Sequence, residues 1–342
     1  MTKHYETIIV GGGPAGLTAG LYAARSKVSA VVLERGLPGG QLLNTKDIED
    51  YPGFPHVGGM ELAQLMTQHA ERFGSEIHQG EAVTRIAEGE GDDPWSRWRV
   101  ETESGAVYEA PTVILSAGGT ALKLGVPGEM EFAGRGVSYC AVCDGAFFEG
   151  ETIAVVGGGD AALEEADFLT RYVEKLYLIH RRGEFRAQKI IQERVLRNPK
   201  IDVLLDTVVK RAEGDATGLK RLVLQGTRSP SGEYDFNGAG PTRELDVTGL
   251  FVFIGFEPNT ALVTSNHIRH DVGGYFVTDN RMETTAPGLF AVGDVRSQLV
   301  RQITTAVGDA TTAAMAVERY LTELKEHRPV AGVSAQLFHK YI

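Results

Sequence analysis

Cysteine is nearly absent from this chain: two residues in 342, Cys140 and Cys143, three positions apart. So few thiols exclude the disulfide framework on which small secreted scaffolds depend. Basic side chains are in deficit too, 34 against 45 acidic ones, for a formal charge of −11. Phosphate backbones and anionic membranes repel such a chain, so neither nucleic acid nor membrane is expected as a partner. No apolar run approaches the roughly 20 residues that span a bilayer. The opening residues, Met1 to Glu6, lead straight into a strand and lack the apolar core of a secretory signal. The expected location is the cytoplasm.

Glycine, by contrast, is abundant. The 42 glycines gather in clusters such as Gly11-Gly12-Gly13 and Gly157-Gly158-Gly159 rather than in linkers. Such clusters mark turns where a Cβ is not tolerated, as where backbone meets phosphate. The composition, 42% hydrophobic and 23% charged, is that of an ordinary globular protein. At this length two domains are expected.

The first cluster has a full context. An apolar strand, Thr7 to Val10, runs into Gly11-Gly12-Gly13-Pro14-Ala15-Gly16, and an Ala-rich helix is predicted from Leu17 to Arg25. A second strand, Ala30 to Leu33, ends in Glu34. Strand, glycine turn, helix, strand and acid together form a dinucleotide-binding unit. In it the pyrophosphate sits at the helix N-terminus, and Glu34 accepts hydrogen bonds from ribose hydroxyls.

The unit recurs. Thr152 to Val156 leads into Gly157-Gly158-Gly159-Asp160-Ala161-Ala162, a helix over Leu163 to Thr170 and a strand over Lys175 to Ile179. Glu34 lies 23 residues after Gly11, and His180 lies 23 residues after Gly157. In place of the acid stands a cationic cluster, His180, Arg181 and Arg182, with Arg186 close behind. Arginine forks bind a 2′-phosphate that an acid would repel. A solvated basic surface run is the competing reading, which the position at a strand's end disfavours. The first site therefore suits FAD and the second NADPH.

Further apolar strands follow at Val113 to Leu115, Leu250 to Gly255 and Gly288 to Val292, the last ending in Gly293-Asp294. An aspartate at that place can accept hydrogen bonds from a flavin's ribityl chain. After it, Arg301-Gln302-Ile303 opens a helix predicted to run to about Leu324. The expected fold is α/β: two Rossmann-like three-layer nucleotide-binding domains, the second inserted into the first. The expected boundaries are 1–115 and 247–324 for the FAD domain and 116–246 for the NADPH and dithiol domain, with a tail over 325–342. The polar stretch Gly226 to Glu244 reads as a hairpin loop of the inserted domain. The loop Glu88 to Trp98 reads as a surface hairpin tip.

Cys140-Ala141-Val142-Cys143-Asp144 precedes the second unit. Structural zinc requires four ligands, and no second pair or nearby histidine supplies them. A structural staple closing so short a loop stabilises little. Redox catalysis is favoured over both, because two nucleotide sites and one dithiol give electrons a route. Asp144 is the nearest group for proton handling.

Taken together, these motifs resemble the low-molecular-weight thioredoxin reductase family over residues 5 to 324. The likeness rests on the two glycine turns, Gly39-Gly40-Gln41-Leu42, Tyr51-Pro52-Gly53 and Cys140 to Gly145. It continues through His180-Arg181-Arg182 with Phe185-Arg186-Ala187, then Gly293-Asp294 and Arg301-Gln302. The resemblance implies FAD, NADPH, a homodimer and thioredoxin as substrate. It assigns Cys143 to the flavin side, Cys140 to attack on thioredoxin and Asp144 to acid/base work. It places Gly11, Gly13, Pro14, Ala15, Gly16, Glu34, Arg35, Gly40, Gln41, Asn44, Asp294, Arg301, Gln302 and Ile303 around the flavin. Around NADPH it places Gly157, Gly159, Asp160, Ala161, His180, Arg181, Arg182 and Arg186. It also implies an inserted domain that rotates between two orientations. Two departures stand out: Ser116-Ala117-Gly118-Gly119 replaces an Ala-Thr-Gly turn, and Phe338, His339 and Tyr341 lie in a tail beyond the family's usual end. A tail ring stacked on the flavin is one expectation. Another is a protein donor such as ferredoxin in place of NADPH. A non-catalytic flavoprotein is a third reading, which retention of Cys140, Cys143 and Asp144 disfavours.

Overall fold

The computed structural model describes residues 2–45, 47–91, 93–229, 232–236, 240–265 and 267–326. The aromatic tail from 327 onward lies outside the described residues.

Two parallel sheets of five strands organise the chain. In the first, the order is Leu289–Ala291, Thr112–Leu115, Thr7–Val10, Ala30–Glu34 and Glu76–Gln79. Four of its strands read as nearly unbroken apolar runs because both faces are covered, whereas Glu76–Gln79, at the edge, is mostly polar and partly exposed. Alternate residues Ile8, Val10, Val31, Leu33, Val113 and Leu115 pack on one side against Ile86, Trp98, Val100 and Tyr108 of a second, four-stranded sheet. Their neighbours Ile9, Val32, Ile114 and Phe290 pack on the other side against Ala15, Ala19, Ala310, Ala313 and Val317. Those residues belong to two helices, Pro14–Arg25 and Ile303–Glu326. The first helix starts three residues earlier than its apolar pattern predicts, since Pro14, with its fixed φ, forms its first position.

The second sheet repeats this plan. Its order is Val137–Ser138, Gly249–Phe253, Thr152–Gly157, Lys175–Ile179 and Ile201–Leu204. Ile153, Val155, Leu176, Leu178 and Phe251 meet helices Asp160–Leu169 and Lys189–Arg197. Ala154, Val156, Ile179, Leu250 and Val252 meet a three-stranded antiparallel sheet through Val209, Leu222 and Leu224. Two three-layer α/β units thus lie along one chain, and the first is completed only by strand Leu289–Ala291, after the second has been built.

Two expectations are corrected here. The return crossing was expected near Asp246 to Gly249. Instead, Gly249–Phe253 is the second strand of the second sheet, paired with Val137–Ser138 and Thr152–Gly157. The chain crosses back at Phe256–Pro258, which pairs antiparallel with the outgoing Gly119–Ala121. The apolar run Leu250 to Val252 fills a site buried on both faces, which no connecting segment would do. The second correction concerns the hairpin tip after Glu88. Trp98 stands opposite Glu88 as expected of a hairpin, yet it is wholly buried and its indole N–H donates to the Pro287 carbonyl at 3.2 Å. Truncating Trp98 to Ala leaves a large cavity between the two sheets. A loss of about 3–5 kcal/mol in denaturant-measured stability is expected.

Candidate active site

The first glycine turn folds as it does for lack of space. Gly11 has φ +104°, and a Cβ on it would stand 2.6 Å from the Ser116 carbonyl oxygen. A Cβ on Gly16 would overlap the Gly11 carbonyl oxygen itself. Ser116 Oγ, donating toward Val10 O and Gly11 O at 2.9 Å each, ties the turn to the neighbouring strand. Gly13 is different. It caps the helix, and an added Cβ would meet nothing nearer than Gly40 Cα at 3.8 Å. Apart from Gly40, no atom of the described residues lies within 4 Å of where a Gly13 side chain would start.

Of the other residues assigned to a flavin, Glu34 and Gly40 lie against this turn. Glu34 accepts from Gly12 N–H at 2.6 Å and from Gly36 N–H at 2.9 Å. Gly40, at φ +56°, folds the 39–44 segment against Gly13, and Gln41 Nε2 donates to Gly119 O at 3.1 Å. Arg35 is exposed, and the Asn44 side chain lies outside the described residues. Strand Leu289–Ala291 delivers Asp294 to the same end of the sheet, and Gly293 packs close to Ala15. Burial raises the Asp294 carboxyl above its ordinary pKa, against the pull of Arg301 and with repulsion from Asp309. The Arg301 guanidinium lies 4.2 Å from the Tyr275 ring centre, and its buried Nε has no hydrogen-bond partner among the described residues. Gln302 N–H donates to Thr305 Oγ1 at 3.1 Å, opening the helix that begins at Ile303.

Asp309 escaped the sequence reading. Its carboxylate accepts from Gly293 N–H at 3.1 Å and pairs with Arg296 at 3.1 Å, so a nearly buried ion pair braces the Asp294 turn. The available signal was an acid among the alanines of an otherwise small-residue helix.

The second turn repeats the first with one substitution of partner. A Cβ on Gly157 would overlap Ala162, and one on Gly158 would overlap the His180 ring. Gly159, the helix cap, has no atom within 4 Å of its added Cβ. The turn is closed by Arg186 N–H and Ala187 N–H, both donating to Gly158 O. Asp160 accepts from Gln188 N–H at 2.7 Å and Gln188 Nε2 at 3.0 Å, which hold its carboxyl below the ordinary range. Ala161 is exposed beside it.

His180 is not part of the cationic cluster that the sequence suggested. It is buried, hydrogen-bonded through Nε2 with Glu184 O at 3.1 Å, and its ring lies tilted against Phe185, centres 5.3 Å apart. Burial, with Arg186 and Arg181 nearby, lowers its pKa, so the ring is a neutral wedge filling the space that Gly158 leaves. The cations are Arg181, Arg182 and Arg186, all exposed and in no ion pair among the described residues.

Cys140 and Cys143 form a disulfide with Cα atoms 5.4 Å apart. Both are half-buried, beside the exposed Val142 and Phe147. Cys140 caps the short helix Ala141–Asp144, and its Sγ accepts from Cys143 N–H at 3.2 Å. Ser138, which the sequence reading overlooked, accepts from Cys140 N–H at 3.1 Å and donates to Asp144 Oδ2 at 2.5 Å. One buried hydroxyl therefore joins the proton-handling candidate to the disulfide's backbone. Among the described residues, no cluster of His, Cys, Asp and Glu able to hold a metal is found.

Residues 5–310 match the pyridine nucleotide-disulphide oxidoreductase family, and the chain belongs to it. The thioredoxin reductase of Bacillus subtilis is 42% identical over 324 residues, 95% of this chain and 97% of that protein. That of Helicobacter pylori is 40% identical over 322 residues, 92% and 98% of the two chains. The solved thioredoxin reductase from Streptococcus pyogenes is 44% identical and superposes with a TM-score of 0.85, covering 93% of this chain and 98% of that one. Its Lactococcus lactis counterpart, in the FR conformation, is 40% identical at a TM-score of 0.60, with 93% and 99% covered. Within the family, then, the chain falls among the bacterial-type thioredoxin reductases, and it is an oxidoreductase acting on a disulfide.

The two central glycines of the second turn test its packing. Gly158→Ala is expected to lower stability by about 1–3 kcal/mol, because the His180 ring must move. Gly159→Ala, at extended φ and in open space, is expected to hold stability or raise it by up to about 1 kcal/mol. Parallel urea melts of the two variants check this.

Proposed function

We propose that the chain carries electrons from NADPH, through FAD, to the Cys140–Cys143 disulfide, and from there to oxidised thioredoxin. The observation that supports this most directly is the opposite polarity of two equivalent strand ends. Glu34 closes the first turn, whereas three exposed arginines, in no ion pair among the described residues, follow the strand of the second.

Both turns fit a dinucleotide. The open faces of Gly13 and Gly159 admit a pyrophosphate to the helix N-termini. At the first site Glu34 suits ribose hydroxyls, Asp294 suits the ribityl chain, and the unpartnered Arg301 Nε offers a donor. At the second, Arg181, Arg182 and Arg186 suit a 2′-phosphate. When bound, FAD and NADPH supply the electron-pair chemistry that side chains lack.

The protein's own chemistry is thiol–disulfide exchange. Two electrons and two protons open the disulfide to two thiols. Cys140, deprotonated, attacks a thioredoxin sulfur and forms a mixed disulfide. Cys143 then attacks Cys140, restoring the internal disulfide and releasing thioredoxin as a dithiol. The Cys143 N–H that points at Cys140 Sγ favours a thiolate there. Asp144, held by Ser138, takes and returns the proton.

The domain division follows the strand pairing: an FAD unit before the Gly119–Ala121 ribbon and after Phe256–Pro258, and an NADPH and dithiol unit between them. That two-strand ribbon is the natural hinge. The gap in TM-score between two relatives of similar identity, 0.85 against 0.60, supports a change of orientation about it. No described helix is long and apolar enough to cross a membrane. We take the protein to act as a cytoplasmic homodimer, as the family resemblance implies.

Anaerobic stopped-flow mixing of the flavin-loaded protein with NADPH is expected to bleach the flavin before thioredoxin is added. A flavin that stays oxidised would exclude NADPH as donor. Asp144→Asn should lower thioredoxin turnover about a hundredfold, and Cys140→Ser should abolish it. Unchanged turnover in Cys140→Ser would refute the dithiol route.

A further inference from the structure

Three like charges crowd the end of strand Lys175–Ile179, and among the described residues no carboxylate pairs with them. What lies against two of them is an aromatic ring. Phe236, in the connection between strands Gly218–Gly226 and Thr242–Asp246, has its ring centre 5.1 Å from the Arg181 guanidinium and 5.9 Å from that of Arg182. Tyr234 stacks behind Phe236, centres 5.5 Å apart and planes at 15°.

This connection is fastened to the arginine turn at several points. Tyr234 OH accepts from Gly183 N–H at 2.9 Å and from Arg228 Nη2 at 2.8 Å. Arg228 pairs with Asp206 at 2.8 Å, and Asp206 N–H donates to Arg182 O at 3.2 Å. Thr227 Oγ1 donates to Arg181 O at 3.0 Å. The Arg181 carbonyl and the Gly183 N–H are thus held by this connection, and the Arg182 carbonyl by Asp206, to which the connection is itself bound through Arg228. Yet Tyr234 and Phe236 are 41% and 39% exposed, so their rings are not there to fill a core.

We infer that Phe236, backed by Tyr234, positions Arg181 and Arg182 for the 2′-phosphate and so sets the preference of this site for a phosphorylated dinucleotide. The inference rests on NADPH being the donor. Its physical basis is what a ring does that a carboxylate does not. A cation over a ring face is attracted by the quadrupole. The guanidinium's in-plane N–H groups stay unspent, ready for a phosphate fork. An acid in the same place would occupy those donors and repel the incoming dianion.

The test compares NADPH and NADH as donors in full-length, flavin-loaded enzyme. Phe236→Leu keeps apolar bulk and removes the ring; Phe236→Tyr keeps the ring. Loss of two ring–cation contacts is expected to reduce the NADPH-over-NADH ratio of kcat/KM about five- to tenfold in Phe236→Leu, through KM for NADPH. Phe236→Tyr should retain the wild-type ratio. An unchanged ratio in Phe236→Leu, with the parent still preferring NADPH, would overturn the inference. A parent enzyme with no preference for NADPH would instead overturn the assignment of the donor.

Discussion

In each unit, the helix after the first strand lies so close to that strand that no side chain fits between them. Gly16 meets this constraint in the first turn, as Gly157 does in the second, while Gly11 and Gly158 leave room for Ser116 and for the His180 ring. The remaining geometry depends on it. With the helix brought down onto its strand, the cap between them, Gly13 or Gly159, has at most the Gly40 Cα within 4 Å of where a side chain would start, among the described residues. The helix N-terminus is thereby presented to whatever anion occupies that space. Two copies of the same constraint yield two sites of the same shape, and the residue at the next strand end gives each its polarity.

Electrostatics then separates the two sites. At the first, acids and one cation are held in partly buried places: Glu34 by two backbone N–H groups, and the Asp294 turn by the Asp309–Arg296 pair. Breaking a buried pair of that kind costs far more than an exposed one would, so the turn is stiff where the ligand is to be held. At the second, the charges are exposed and mutually repelling, and aromatic rings stand where counter-ions would otherwise be. The disulfide lies with the second unit, and the chain passes between the units at the ribbon of Gly119–Ala121 and Phe256–Pro258.

Much of this was legible in the sequence. Strands buried on both faces show as unbroken apolar runs, and turns without room for a Cβ show as glycine. Hence both strand–glycine turn–helix units, their strand-end residues and the cysteine pair stand out in the sequence. Less legible were the features that depend on contacts distant in sequence. His180 looks cationic in a row of arginines, but Gly158 admits its ring and burial keeps it neutral. Gly249 looks like a linker beside Asp246, yet it starts a strand between two others. Ser138 and Asp309 are ordinary letters whose importance comes from their partners, the Cys140 N–H and Asp144 for one, the Gly293 N–H and Arg296 for the other. Phe236 sits in a polar connection whose composition suggests only a loop.

The central claim is that one half-buried disulfide receives what two nucleotide sites deliver, and that its two sulfurs are unequal. Alkylation mapping under anaerobic conditions tests it most directly. The flavin-loaded enzyme is treated with one equivalent of NADPH, then with iodoacetamide, and the labelled cysteines are located by peptide mass spectrometry. The account predicts no label before NADPH and, after it, label on Cys140 well ahead of Cys143. Cysteines that remain unlabelled after the flavin has been reduced, or label that falls first on Cys143, would contradict it.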